Sequence, residues 1–224
     1  MRDTTIACIF DLDGVLVDTA VYHYQAWKKL ANSLGFDFTH AQNEQLKGVN
    51  RMRSLEKILD WGGVSKTDAE KGELAALKNS WYVDMISKMS ASEVLPGSLE
   101  LLQQLKDKGI KIALGSASKN SGLILERTNL THFFDAIVDG NAVTTSKPDP
   151  EVFLKGAEAL NTPAANCIVF EDAAAGVQAA ISAHMAVVGI GEAENLPGAD
   201  VIIKDLSGIT VAELISLVDQ KTEK

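Results

Sequence analysis

Apolar residues recur along this chain in two rhythms. Short runs with little polar alternation, such as Ile6-Ala7-Cys8-Ile9-Phe10 and Cys167-Ile168-Val169-Phe170, have the pattern of strands buried on both faces of a parallel sheet. Further runs at residues 110–114, 136–138, 186–190 and 201–203 extend the set. Between Val17 and about Glu93 such runs vanish and helical spacing takes over. A first helix is expected from Asp18 or Thr19 to Leu34, stopped by Gly35, with Tyr22, Ala26, Trp27, Leu30 and Leu34 along one face. Shorter helices over 43–46 and 54–61 follow, separated by Lys47-Gly48-Val49-Asn50-Arg51, and a long one runs from Thr67 towards Met89.

Leu95-Pro96-Gly97 marks the return to alternating strands and helices, with helices expected over 98–108, 121–128, 150–160, 173–183 and 210–218. The implied fold class is α/β: a doubly wound, Rossmann-like parallel sheet core with an inserted α-helical cap domain. The core is expected at 1–16 and 94–224 and the cap at 17–93, with only residues 220–224 frayed.

Composition narrows the function. The 224 residues, 46% hydrophobic, suffice for one sizeable core and a smaller one. No apolar run approaches the roughly 18 residues needed to span a membrane, and the Met-Arg-Asp-Thr-Thr start lacks the features of a signal peptide. We therefore expect a cytoplasmic protein without membrane contact. Cys8 and Cys167 fall inside strands, as core thiols would. A formal charge of −9 argues against a nucleic-acid surface, so an anionic substrate must be drawn in by cations close to it. A monomer is the expected state.

Chemistry gathers where the strand runs end. Asp11 and Asp13 of Asp11-Leu12-Asp13-Gly14 emerge where open parallel sheets bind ligands. Taken alone, they serve equally as turn acids. The second run leads into Gly115-Ser116-Ala117-Ser118-Lys119-Asn120, a small-residue loop able to cradle a phosphate. Lys147 is held extended by Pro148, and Glu171-Asp172 crowns a third strand, where Asp172 could instead cap a helix. Attack of a carboxylate on a phosphoryl group requires a bridging cation. Mg²⁺ suits an oxygen donor set of Asp11, the Asp13 carbonyl, Asp172 and Glu171.

These four motifs, in this order, resemble those of the haloacid dehalogenase-like phosphotransferase superfamily. The resemblance implies that Asp11 becomes an aspartyl phosphate and Asp13 acts as general acid and base, with Ser116, the Ala117 amide and Lys147 holding phosphoryl oxygens. A more specific likeness is to the β-phosphoglucomutase family. It rests on Asp11 to Val15, Asp18-Thr19-Ala20, Tyr22-His23, Ala26-Trp27, the stretch Asn43 to Val49 with Arg51 and Ser54-Leu55, Lys78-Asn79, and Ser116 to Asn120.

That likeness implies interconversion of β-glucose 1-phosphate and glucose 6-phosphate through β-glucose 1,6-bisphosphate, which also acts as activator. Small sugar phosphates would be the partners. It assigns substrate binding to Thr19, His23, Trp27, Lys47, Gly48, Val49, Asn50, Arg51, Ser54 and Lys78 of the cap. In the core it adds Ala117, Ser118, Lys119 and Asn120. Arg51 with Ser118, Lys119 and Asn120 would anchor the distal phosphate. Gly115 and Asp149 depart from the mutase pattern, and Asn50 and Met52 stand where it varies. Asp149 after Lys147-Pro148 keeps open a Mg²⁺-dependent phosphatase of small sugar phosphates. A binding protein on a retired enzyme fold fits less well, because Asp11, Asp13, Lys147 and the acidic pair all persist.

Overall fold

The computed structural model describes residues 6–222; the expectations for the N-terminal start and for residues 223–224 lie outside them. Six strands form one parallel sheet in the order β3-β2-β1-β4-β5-β6. They are β1 (Ala7–Phe10), β2 (Lys111–Gly115), β3 (Ala136–Val138), β4 (Cys167–Glu171), β5 (Ala186–Ile190) and β6 (Val201–Ile203). β1 and β4 are central and wholly buried, which is why they carry no polar alternation. β1 begins at Ala7, one residue later than its apolar run.

Side chains alternate between two cores. Cys8, Phe10, Ile112, Leu114, Ile168 and Phe170 pack on one face, under helices α5 (Ser98–Asp107), α6 (Ser121–Arg127) and α9 (Val211–Thr222). Phe10 and Phe170 stack there with ring centroids 4.2 Å apart. Ala7, Ile9, Ala113, Cys167 and Val169 face the other side, against α7 (Glu151–Ala159) and α8 (Ala174–Ser182). The two cysteines are buried free thiols.

Between β1 and α5 the chain builds four helices: α1 (Ala20–Ser33), α2 (His40–Glu44), α3 (Arg51–Trp61) and α4 (Asp68–Ile86). They enclose a separate apolar cluster that includes Trp27, Leu30, Phe38, Leu55 and Ile58. The two ends of this insert lie together: Val17 bridges Val94, and Leu95 N–H donates to the Leu16 carbonyl at 2.9 Å.

Several boundaries differ from expectation, and capping explains them. α2 starts at His40 and not Asn43, because Thr39 and Gln42 form a reciprocal capping box. α3 starts at Arg51 and not Ser54, because the Asn50 side chain accepts from the Arg53 N–H. Arg51 is therefore helical rather than part of the preceding loop. α4 runs from Asp68, after the Thr67–Glu70 capping box, and stops at Ile86. α9 continues past Val218 through residues read as frayed. Lys221 Nζ anchors it, bonding Asp200 Oδ2 at 2.5 Å and the Met185 carbonyl at 2.9 Å. Among the described residues no helix is long and apolar enough to cross a membrane.

Candidate active site

One cavity of about 540 Å³ lies between the carboxyl ends of the strands and the four-helix insert. Asp11 is at its floor, where the β1–β4 ladder continues one residue beyond the strand: Asp11 N–H donates to the Phe170 carbonyl at 3.0 Å. Lys147 reaches Asp11 from below. Its ammonium is 2.5 Å from Asp11 Oδ1, 2.6 Å from Glu171 Oε1 and over the Phe153 ring. Burial opposes the charge on Lys147, yet the two carboxylates hold its pKa above the usual lysine range.

The two acids at the end of β4 have separate roles in this geometry. Glu171 is fully buried and does not line the cavity; Oε1 takes Lys147 and Oε2 accepts from the Ala173 N–H at 2.9 Å. A Cβ at position 176 would collide with that carboxylate, so Gly176 makes room for it. Asp172 does line the cavity, tucked against Gly14, whose φ of +82° and lack of a Cβ are both required there. Burial raises the pKa of both acids, and the charge on Asp11 adds to this.

Asp13 is poised differently. The Thr19 hydroxyl donates to Asp13 Oδ1. Burial, followed by the neighbouring Asp11 charge, pushes the Asp13 pKa up to about 6. A carboxyl in that state can both give and take a proton near neutral pH.

Among the described residues, no three Asp, Glu, His or Cys side chains converge as a ready-made metal-binding group. The chemistry of the site nevertheless fits a hard divalent cation. Its donors are all oxygen, and four carboxyl groups crowd together with raised pKa values at Asp13, Glu171 and Asp172, a surplus of negative charge that such an ion relieves. Asp11, the Asp13 carbonyl and Asp172 would hold it. Glu171 would join them only by giving up a present bond.

The insert supplies the cavity roof. Lys78 is buried, 3.1 Å from His23 Nδ1, with its ammonium 4.4 Å from the Trp27 ring centroid and 4.6 Å from that of Tyr82. Burial, reinforced by Arg51, lowers its pKa to about 7. His23 is kept neutral by burial and by the charges of Lys78 and Arg51, so its Nδ1 accepts from the Lys78 ammonium. Arg51, half-buried, lines the same cavity.

The loop before α3 meets the core directly. Lys47 Nζ is 2.9 Å from Glu44 and 3.2 Å from Asp172 Oδ2. Burial opposes its charge, and the two carboxylates outweigh burial and raise its pKa. Gly48, at φ +70°, sits against Ala173 and Ala175. The Ser54 hydroxyl is spent on the Val49 carbonyl at 3.4 Å and so holds the loop.

Of the residues expected from sequence, Asp11, Asp13, Asp172 and all fourteen substrate-binding candidates from Thr19 to Asn120 line this cavity. Lys147, Glu171 and Ser116 do not. Ser116 lies beneath the phosphate loop, its hydroxyl accepting from the Ser118 N–H at 3.1 Å. Asp149, read as a phosphatase sign, instead accepts from the Glu151 N–H in the first turn of α7. Asn79 and Ser146 stand in the sequence motifs without a binding role, and Tyr82 and residues 143–145 stand in none, yet all line the cavity. Tyr82 is legible as the position one turn after Lys78 on the same helix.

Residues 8–190 match the haloacid dehalogenase-like hydrolase family. The chain is 45% identical over 207 residues to a β-phosphoglucomutase of Bacillus subtilis, covering 92% of each protein. It is 34% identical over 182 residues to a phosphorylated carbohydrates phosphatase of Thermotoga maritima, covering 79% of this chain and 81% of the other. Among solved structures it is similar to β-phosphoglucomutase from Clostridium difficile, with a TM-score of 0.93 and 41% identity over 97% of this chain and 99% of that one.

Proposed function

The chain belongs to the haloacid dehalogenase-like hydrolase family, and within it we propose a hexose-phosphate mutase that interconverts β-D-glucose 1-phosphate and D-glucose 6-phosphate. The observation that carries this reading is one cavity with cations on two sides: Lys147 behind its core wall, bound to the cavity-lining Asp11, and Arg51 and Lys78 lining its insert wall. A hydrolase acting on one phosphate needs only the first. A mutase must hold a second phosphate while the first reacts.

In this mechanism Asp11 attacks one phosphorus of β-glucose 1,6-bisphosphate through the oxygen that Lys147 leaves free. The bond from phosphorus to the sugar oxygen breaks, and Asp13 gives its proton to that oxygen, producing an aspartyl phosphate. In the return step Asp13 takes a proton from the free hydroxyl of a sugar monophosphate, which attacks the aspartyl phosphate, re-forms the bisphosphate and frees Asp11. β-Glucose 1,6-bisphosphate is thus both intermediate and priming phosphate donor. Mg²⁺, held by Asp11, the Asp13 carbonyl and Asp172, would supply charge neutralisation between nucleophile and phosphoryl oxygens. Thr19 orients Asp13 for both proton transfers. Arg51 with Ser118, Lys119 and Asn120 grips the phosphate that is not reacting.

Residues 17–93 act as a cap over a core of 1–16 and 94–224. Closing it excludes the water that would hydrolyse the aspartyl phosphate. The enzyme works on small sugar phosphates as a cytoplasmic monomer.

Arg51→Ala tests the two-walled cavity. Loss of charge-assisted hydrogen bonds of about 1.5–3 kcal/mol should cut isomerisation by roughly 10–150-fold. Phosphorylation of Asp11 by acetyl phosphate, which needs only the core wall, should continue near the normal rate. Unchanged isomerisation would remove the distal-phosphate role.

A further inference from the structure

Besides the Thr19–Asp13 bond, three polar side-chain pairs among the described residues join the insert to the core around the cavity: Lys47 with Asp172, Asn79 with Asn120, and Asn50 with Ser146. The last has a property the others lack. The Asn50 amide is engaged at both ends. Its Oδ1 accepts from the Arg53 N–H at 3.0 Å, closing the first turn of α3, and its Nδ2 donates to Ser146 Oγ at 2.9 Å. The cap bond fixes which end of the amide faces the core, because only the oxygen can accept from an N–H.

The neighbours of these two residues give the bond its meaning. Arg51, the first residue of α3, directly follows Asn50. Lys147, whose ammonium holds Asp11 Oδ1 at 2.5 Å, directly follows Ser146. One rigid side chain therefore ties the start of the helix bearing the outer cation to the backbone bearing the inner one. Of the common N-cap residues, Asp lacks a donor and Ser and Thr are shorter, so only Asn both caps the helix and reaches across with an N–H.

We propose that Asn50 is a positioning residue and not a substrate ligand, a latch that closes the insert onto Ser146 and thereby sets the spacing between Arg51 and Lys147. This rests on the mutase reading for its kinetic consequence, though not for its structural one. The bond joins the insert to the core through the protein's own groups, so it biases the cap towards closure without help from the sugar phosphate, which then spends less of its binding energy on closing it.

The test uses Ser146→Ala, which removes the acceptor and leaves the α3 cap intact, with Ser146→Thr as the hydroxyl-retaining control and Asn50→Ser as the partner change that keeps a cap but shortens the reach. Small-angle scattering of the ligand-free protein reads cap position, and isomerisation of β-glucose 1-phosphate is compared with Asp11 phosphorylation by acetyl phosphate. We expect Ser146→Ala to enlarge the radius of gyration. It should also raise KM for the sugar phosphate roughly three- to tenfold, the value of one neutral hydrogen bond, more than it lowers kcat. Ser146→Thr should restore both, and the double variant should be no worse than either single one.

An unchanged radius and KM in Ser146→Ala would overturn the latch. So would an equal fall in both reactions, which would mean that Ser146 merely supports Lys147, and so would additive losses in the double variant. A wild-type protein that does not isomerise the sugar would defeat the mutase reading alone, with the scattering comparison still deciding the latch.

Discussion

Lys47 Nζ lies 3.2 Å from Asp172 Oδ2, so a lysine of the insert occupies the carboxylate that a divalent cation would use. The two positive charges compete for the same oxygen. Lys47→Ala should therefore raise the affinity of the substrate-free protein for Mn²⁺, read by the loss of free-ion electron paramagnetic resonance signal, by up to about fivefold, as a part-exposed ion pair allows. Weaker Mn²⁺ binding in the variant would show that Lys47 assists the ion and does not oppose it.

Among the described residues, Lys147 is the only cation paired with Asp11 and Glu171. Removing it leaves two carboxyl groups buried without a countercharge. Lys147→Ala should destabilise the fold by about 3–5 kcal/mol in urea unfolding at neutral pH, besides ending phosphoryl transfer. A loss below about 1 kcal/mol would mean the pair is not buried as described.

Lys78 gives the stability a pH slope of known sign. Burial lowers its pKa from the ordinary 10.5 to about 7, with Arg51 adding to the shift and Asp13 opposing it, and its ammonium faces His23, Trp27 and Tyr82. Between about pH 7 and 10.5 the unfolded chain holds a proton here that the folded one lacks, so this group makes stability rise with pH. The full penalty is present below pH 7. Lys78→Met should be more stable than wild type at pH 6, with the gap closing towards pH 10, while KM for sugar phosphate rises. A gap that widens with pH would reverse the assignment.

Among the described residues Tyr82 Oη, buried in a wall of the cavity, has no hydrogen bond of ordinary geometry, its one polar interaction there being with the Thr19 side chain. Without a full hydrogen bond, that hydroxyl costs the ligand-free fold about 1–3 kcal/mol. Tyr82→Phe should raise the thermal midpoint and weaken sugar-phosphate binding, because the hydroxyl gains a partner only when substrate is present. A lower midpoint would show that the phenol is already satisfied.

Much of this architecture could be read from residue order. The strands were visible because a parallel sheet buried on both sides leaves runs such as Ile6 to Phe10 without alternation, and acids following such runs fall at the ligand-binding edge by topology alone. What escaped the reading depended on side chains that meet only after folding. The sequence pattern leaves Arg51 in a loop, because the Asn50 cap works through a bond to a residue three positions on. The sequence offers both Glu171 and Asp172 as metal ligands, and only packing against Gly176 and Gly14 turns one towards Lys147 and the other into the cavity. Lys221 looked frayed because its partners, Asp200 and Met185, are distant in sequence. Tyr82 carries no motif; its importance comes from sitting one turn beyond Lys78.

The central claim, transfer of a phosphoryl group between two positions of one sugar, is tested most directly by phosphorus NMR of β-glucose 1-phosphate incubated with the protein, Mg²⁺ and catalytic β-glucose 1,6-bisphosphate. One spectrum separates isomerisation from hydrolysis. The account predicts that the glucose 6-phosphate signal grows as β-glucose 1-phosphate declines, with little inorganic phosphate, and that Asp11→Asn abolishes this conversion. Growth of inorganic phosphate without glucose 6-phosphate would contradict it and identify the protein as a phosphatase.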